Sequence, residues 1–169
     1  MTWQYLEKLA YRWYQWLPYV DSFTNKHVVE LNCGDTQIDK ALIGQPIELF
    51  QCNDTKECSQ QRLFNGSFYQ VSDERFGEYI LKCDILLLFG IGGYEITGAE
   101  QESKTITSST INFIKEYAPE LVVIEGVTRF EPLLERISAE SGYERVARLE
   151  TLSGDDWLHH RVMYILKPK

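Results

Sequence analysis

The sequence lacks any apolar run long enough to cross a membrane as a helix, and it opens without the pattern of a signal peptide. It also lacks an excess of positive charge. Its 17 Lys and Arg residues stand against 25 Asp and Glu residues and leave a net charge of −8. An acidic chain is a poor match for the phosphate backbone of nucleic acids. We therefore expect a cytoplasmic protein without a membrane span, whose main partner is not a nucleic acid.

The spacing of a metal site is also missing. The four cysteines are Cys33, Cys52, Cys58 and Cys83, and no two of them have the separation typical of zinc ligands. Cys33 and Cys52 both lie near the ends of predicted strands, so a metal or redox pair there is the alternative. Because reduced cysteine behaves as a small apolar side chain, we predict buried thiols and no bound metal.

Length and composition are those of an ordinary globular domain. The chain has 169 residues, of which 44% are hydrophobic, and this is enough for one sizeable core. We predict a single domain over residues 1–169, with an N-terminal aromatic helix within residues 1–18 and the core over residues 27–169.

The N-terminal segment has the spacing of an amphipathic helix. We predict a helix over residues 2–17 that Pro18 ends. Its polar face carries few Lys and Arg residues, unlike a helix that lies on a membrane. We expect it to pack on the core, and a lid over a ligand or a homodimer contact face are the alternatives. The apolar stripe consists of Trp3, Leu6, Ala10, Trp13 and Leu17, with Leu9 and Trp16 beside it.

The stretch from His27 to Thr36 organises the rest of the chain. Residues 28–31, apolar except for Glu30, are typical of a buried parallel strand, and they lead through Gly34 into a predicted helix over residues 36–43. A strand, a glycine turn and a helix N-terminus together present backbone N–H groups to a ligand at the edge of an α/β sheet. Only one glycine is present, so the fingerprint of dinucleotide-binding proteins is not satisfied.

Strands and helices are predicted to alternate through most of the remaining chain, which is typical of a parallel α/β sheet. Residues 55–65 are polar, and we predict a short helix or a loop there. The predicted strands are residues 27–32, 47–52, 67–71, 84–89 and 121–124, and the predicted helices after the first are residues 36–43, 74–81, 100–117 and 130–139.

The pattern changes near the C-terminus. Residues 143–151 and 157–167 are predicted to be two strands with no helix between them. The turn residues 153–156 separate them, which indicates an antiparallel hairpin.

The stretch Val28-Val-Glu-Leu-Asn-Cys-Gly-Asp-Thr36 resembles the first motif of class I S-adenosylmethionine-dependent methyltransferases. Glu30 matches the acidic residue of that motif and Gly34 its central glycine, whereas Asn32 and Thr36 replace its other glycines. The order of elements over nearly the whole chain is also similar to that family. The resemblance implies a Rossmann-like α/β fold with seven strands, a mostly parallel sheet, an antiparallel C-terminal strand and helices on both faces.

The resemblance also implies S-adenosylmethionine as the cofactor. Asp54 lies about 20 residues after the glycine turn, where an acid accepts hydrogen bonds from ribose hydroxyls in nucleoside-binding folds. An ordinary turn at Asn53 and Asp54 is the alternative. In the family, a polar side chain after the third strand contacts the adenine, and Asp73 either does so here or caps the next helix. The predicted cofactor-binding residues are Glu30, Asn32, Cys33, Gly34, Asn53, Asp54, Ser72, Asp73, Phe89 and Gly90.

The acceptor and the catalytic residues are less well marked. The Asn/Asp-Pro-Pro-aromatic signature of amino-group methyltransferases is absent, and so are the carboxylates of the metal-dependent O-methyltransferases. The candidate catalytic residues are Tyr94, His159 and His160, and an ordinary strand histidine is the alternative for the last two. The prediction is methyl transfer to a small molecule or a protein. The alternative is an inactive methyltransferase-like domain that serves as a binding or assembly module.

Overall fold

A computed structural model of the chain describes residues 15–31, 42, 44–53, 61–64, 67–72, 80, 82–91, 99–151 and 160–169. The strands are β1 (His27–Leu31), β2 (Leu49–Asn53), β3 (Gln61–Phe64), β4 (Ser67–Ser72), β5 (Ile85–Ile91), β6 (Leu121–Val127), β7 (Tyr143–Thr151) and β8 (Arg161–Pro168). The helices within these ranges are α1 (Ala99–Tyr117) and α2 (Glu131–Ser141), together with 3-10 turns at Leu17–Tyr19 and Thr128–Phe130.

The eight strands form one sheet in the order β3-β4-β2-β1-β5-β6-β8-β7. β1 lies in the middle and pairs in parallel with β2 and β5. β2 and β4 are parallel, and so are β5 and β6. β8 lies between β6 and β7 and runs antiparallel to both. The molecule is therefore an α/β protein built on a mixed sheet.

β3 is an additional edge strand that the sequence did not predict. The prediction of a short helix or loop over residues 55–65 is wrong for Gln61–Phe64, which pair antiparallel with β4. The pairing of Leu63 with Phe68 and of Phe64 with Ser67 brings these two strands into register. The Asn-Gly dipeptide between them in the sequence is a strong signal for a two-residue hairpin, and it carries more information here than the polarity of the preceding residues.

Two apolar layers cover the two faces of the sheet. Successive strand residues point to opposite faces, so Val28 joins one layer, whereas Val29 and Leu31 join the other. We name the first layer, which includes Trp16, Phe23 and Leu42, the front layer. The back layer contains residues of α1 and α2, among them Ile111, Ile114, Leu134 and Ile137. β1 and β6 are buried along their whole length, as expected of central strands covered on both sides.

The N-terminal segment contributes to the front layer through Trp16, which is fully buried and makes an edge-to-face contact with Phe23 at 6.4 Å between ring centroids. Residues 15–16 are helical and continue into the turn at Leu17–Tyr19, where Pro18 lies in the first positions. Residues 2–14 of the predicted helix lie outside the described residues. The same holds for the predicted helices at 36–43 and 74–81, except Leu42 and Ile80, which are both buried.

The two described helices end as their sequences predict. Pro132 lies in the first turn of α2, where its missing N–H costs nothing, and Gly142 ends the helix in the left-handed conformation at φ 75°. α1 ends at Tyr117, and the amide of Ala118 still bonds to the Ile114 carbonyl at 2.9 Å. No helix in the described part of the chain is both long and apolar enough to cross a membrane.

Asp84 joins the amino ends of three neighbouring strands. Its carboxylate accepts a hydrogen bond from the His27 amide at 2.7 Å. Its own amide donates to the His27 carbonyl at 2.9 Å, and its carbonyl accepts from the Glu120 amide at 2.9 Å. These bonds fix where β1, β5 and β6 begin. An aspartate at the start of this strand therefore has a structural role at the edge opposite the predicted site.

A polar network fastens the C-terminal hairpin to α2. Both oxygens of Glu131 accept hydrogen bonds from Arg148, and the Tyr164 hydroxyl donates to the same carboxylate at 2.6 Å. The hydrogen bonds from Arg148, in the first place, lower the pKa of Glu131 to about 2. Burial, and then the bond to Glu131, raises the pKa of Tyr164 to about 12. The network holds the last two strands against the body of the domain.

Candidate functional site

The carboxyl ends of the parallel strands meet at one edge of the sheet. β1 pairs with β2 on one side and with β5 on the other, so the order in which strands are added to the sheet reverses at β1. In open α/β sheets, such a point of reversal leaves a crevice beyond the strand ends, where ligands bind. The strand order therefore predicts a ligand site beyond Leu31, the last residue of β1.

The predicted cofactor-binding residues that the structure describes lie at this edge. Glu30 is one residue from the end of β1, only 4% exposed, and on the front face of the sheet with Val28. Asn53 and Ser72 are register partners at the ends of β2 and β4. Glu30 pairs with Cys52, one residue before Asn53, so three neighbouring strands bring predicted site residues together.

The other predicted site residues cannot be placed. They lie outside the described residues and remain predictions from the sequence. They are Asn32, Cys33, Gly34, Asp54, Asp73, Tyr94 and His159.

The end of β5 carries a bulge at the predicted site. The pairing with β6 runs regularly to Leu88 and resumes only at Ile91, so Phe89 and Gly90 lie in the irregular part. Phe89 is half-buried and packs against the front layer. Bulges are frequent beside active sites because they redirect the chain at the end of a strand. The bulge turns this strand end away from a regular course at the edge where a ligand is predicted.

Gly126 on β6 is what allows the bulge to pack. A Cβ on this residue would lie 2.8 Å from the Ile91 carbonyl oxygen and 3.0 Å from the Ile91 Cβ. Any larger residue would have to displace the backbone of β5, since the nearest atom belongs to the main chain. The close approach of the two strands therefore depends on a glycine.

A buried ion pair lies at the same edge, and the sequence prediction missed it. Arg161 Nη1 donates to Glu125 Oε1 at 3.0 Å, and the two side chains are 4% and 0% exposed. Both residues lie on the front face, because they alternate with Gly126 and Val162. The only sequence signal was a lone acid near the end of the apolar run of β6. Its partner is 36 positions away and is recognised only once β8 is placed beside β6.

His160, a candidate catalytic residue, immediately precedes β8. Its side chain is half-buried, and its carbonyl accepts a hydrogen bond from the Thr128 amide at 2.9 Å. This bond holds His160 beside the end of β6, at the carboxyl edge. The antiparallel direction of β8 is the reason, because it brings the start of this strand to the edge where the parallel strands end.

No group of three or more metal-ligating side chains occurs among the residues whose placement is known. Cys83 is free and buried, as predicted. Burial, in the first place, raises the pKa of its thiol well above the usual value. A neutral buried thiol is a poor nucleophile and a poor ligand, so Cys83 belongs to the core.

Comparisons with known proteins give no sequence match, since neither a protein-family model nor a curated protein matches the chain. Solved structures do match. Magnesium protoporphyrin IX methyltransferase from Synechocystis, solved with bound S-adenosylmethionine, is 11% identical and has a TM-score of 0.65 over 98% of this chain and 80% of that chain. The methyltransferase domain of bacterial CtHen1 is 11% identical, with a TM-score of 0.66 over 97% and 99% of the two chains.

A third similar structure is that of a candidate RNA methyltransferase from Pyrococcus horikoshii. It is 12% identical to this chain and has a TM-score of 0.63 over 95% of this chain and 83% of that chain. All three matches span nearly the whole of this chain at very low identity, so the likeness lies in the fold. The protein described here has the fold of the class I S-adenosylmethionine-dependent methyltransferases.

Proposed function

We propose that this protein transfers a methyl group from S-adenosylmethionine to an acceptor that is a small molecule or a protein. The observation that carries the proposal is the strand order, in which β1 is central and an antiparallel β8 lies between β6 and β7. The likeness to solved methyltransferases also supports the proposal, because one of them was solved with S-adenosylmethionine bound. The net charge of −8 supports a small-molecule or protein acceptor over a nucleic acid.

The residues present fit such a donor. Glu30 is a carboxyl group buried near the end of the central strand, at the edge where open α/β sheets bind their ligands. The ends of β2 and β4 lie next to it in register. We propose that the donor lies across the ends of β1, β2 and β4. Its contacts would come from Glu30, Asn32, Cys33, Gly34, Asn53, Asp54, Ser72 and Asp73, with Phe89 and Gly90 at the wall.

The reaction requires little acid–base chemistry from the protein. When bound, S-adenosylmethionine supplies a methyl group that its sulfonium already activates. The chain's own residues would hold the donor and the acceptor in line and keep water out, which alone gives a large acceleration. Phe89, half-buried against the front layer, would supply an apolar wall. Tyr94, His159 or His160 would accept a proton where the acceptor is a hydroxyl or an amine.

Thermal unfolding with added nucleosides tests the proposal. S-adenosylmethionine and S-adenosylhomocysteine should each raise the melting temperature in proportion to the logarithm of their concentration, because they bind the folded state alone. NAD and ATP serve as controls, since the single glycine of the first turn does not fit a dinucleotide. A rise with NAD and none with S-adenosylhomocysteine would contradict the proposal.

Transfer of a labelled methyl group then separates an enzyme from an inactive binding module. The purified protein is incubated with methyl-labelled S-adenosylmethionine and a cell extract, either whole or freed of macromolecules. We expect label in small molecules or in protein. Binding of the donor without transfer to either fraction would favour the module, for which the aromatic N-terminal helix would be the contact face and a homodimer one form of assembly.

A further inference from the structure

The Glu125–Arg161 ion pair lies at a particular place in the sheet. β6 and β8 pair from Val122 opposite Leu166 to Val127 opposite Arg161, so Arg161 belongs to the last pair before the carboxyl edge. The next backbone contact beyond it joins the Thr128 amide to the His160 carbonyl at 2.9 Å. The ion pair thus lies at the start of β8, beside the carboxyl edge of the sheet.

Stability alone does not account for two buried charges at this position. Removing charges from water is costly, and apolar residues of similar volume in place of a buried ion pair are often neutral or stabilising. The strands are also held without it, because six residue pairs join β6 to β8 and eight join β8 to β7. A buried ion pair is better attested as a device that fixes one arrangement among several.

We propose that Glu125 and Arg161 are positioning residues that hold His160 at the carboxyl edge, on the half of the sheet where an acceptor would meet the donor. The proposal rests on the proposed function. If the donor lies across β1, β2 and β4, an acceptor would meet its methyl group from the side of β5, β6 and β8. His160 lies on that side. Its carbonyl accepts the hydrogen bond from the Thr128 amide, and the next residue, Arg161, has a buried guanidinium.

Hydrogen exchange of the Thr128 amide measures this arrangement directly, because that amide donates to His160. The variant is Glu125→Leu with Arg161→Met, which removes both charges of the pair. We expect the Thr128 amide to exchange about tenfold faster or more, as a locally opened segment does, while the Val123 amide in the middle of β6 keeps its rate. The control is Arg136→Met with Glu140→Leu, an exposed pair on α2.

The NMR signals of the His160 imidazole provide a second measurement on the same variant. The chain has only three histidines, so their ring signals are readily separated by NMR. We expect the His160 signals to shift in the Glu125→Leu, Arg161→Met variant and those of His27, at the opposite edge, to stay in place. The control variant should move neither. This readout depends on the surroundings of His160 and needs no ligand.

Three results would overturn the proposal: an unchanged exchange rate of the Thr128 amide, an equal acceleration at Thr128 and Val123, and unshifted His160 signals. Equal acceleration would mean that the pair serves general stability only.

Titration with S-adenosylhomocysteine distinguishes failure of the positioning proposal from failure of the proposed function. The variant should bind it as well as wild type does, since the proposed donor site lies on the other half of the sheet. A wild-type protein that binds none would contradict the proposed function, whereas the exchange rates test the positioning itself.

Discussion

Gly126 and Ile91 lie so close together that a Cβ on Gly126 would come within 2.8 Å of the Ile91 carbonyl oxygen. The contact joins β6 to the bulged end of β5, beside Phe89 and Gly90. It links the packing of the back layer, where Leu134 is the next nearest neighbour at 3.3 Å, to the shape of the carboxyl edge. A change at Gly126 therefore acts on the edge as well as on the core.

We predict that Gly126→Ala lowers the free energy of unfolding by about 1–3 kcal/mol, as overpacking does, and weakens donor binding as well. Gly142→Ala is the matched control. Its residue has φ 75° at the end of α2 with open space around it, so that change should cost about 1 kcal/mol of backbone strain. Urea denaturation and calorimetry measure the two effects. Equal donor binding by the two variants would show that the edge does not depend on this contact.

The fold could be predicted from the sequence because its strongest signals are local. Apolar runs such as Val28–Leu31 and Leu121–Ile124 are strands buried on both faces, and Gly142 with Pro132 bounds a helix. The change from alternating strands and helices to a terminal hairpin was equally visible. β3 was missed because a short polar edge strand has no periodicity of its own and takes its conformation from β4.

The site could be predicted only in part, for a physical reason. Glu30 was predicted because it matches the acidic residue of the methyltransferases' first motif. Glu125 belongs to no such motif, and its partner Arg161 lies 36 residues away, so only the antiparallel course of β8 brings them together. The bulge at Phe89 and Gly90 likewise depends on the fit against Gly126, which single-strand patterns do not contain.

The network around Glu131 makes stability depend on pH in acid. Hydrogen bonds from Arg148 and Tyr164 hold its pKa at about 2, below the ordinary value of 4.5. A lowered pKa contributes stability above the unfolded value, and this contribution is lost as the pH falls from about 4.5 towards 2. We predict that Glu131→Gln lowers the unfolding free energy by about 2 kcal/mol at about pH 7 and by much less at about pH 3.

Urea denaturation of wild type and variant at the two pH values measures this difference. Glu140→Gln is the control, because that carboxylate is about half exposed in its pair with Arg136 and should change the unfolding free energy by less than about 0.5 kcal/mol. A loss at Glu131→Gln that is the same in acid and at neutral pH would mean that the hydrogen bonds do not depend on the carboxylate charge.

Asp84 should stabilise the amino ends of β1, β5 and β6. We predict that Asp84→Ala lowers the unfolding free energy by about 1–3 kcal/mol, because the His27 amide loses a charged acceptor at 2.7 Å. Hydrogen exchange at the His27 amide should accelerate. Glu120→Gln changes a neighbouring ion pair, in which the Glu120 carboxylate is about half exposed and contacts Lys26, and should have little effect. Unchanged exchange at His27 in the Asp84 variant would contradict this account of the edge.

Trp16 tests whether the N-terminal segment belongs to the core. The side chain is fully buried in the front layer against Phe23, so Trp16→Ala should cost about 3–5 kcal/mol of unfolding free energy. Sedimentation should find the same assembly state as for wild type. A stable variant with a changed assembly state would instead assign this residue to a contact between subunits.

Calorimetric titration of S-adenosylhomocysteine into wild type and the Gly34→Val variant tests the central claim most directly. Gly34 follows β1 in the sequence, at the predicted turn where the donor would approach the backbone, and a side chain there would fill the space. We predict saturable binding at one site per chain for wild type and none for the variant, with both proteins folded by circular dichroism. Equal binding by the two proteins, or no binding by wild type, would contradict a donor site at the end of the central strand.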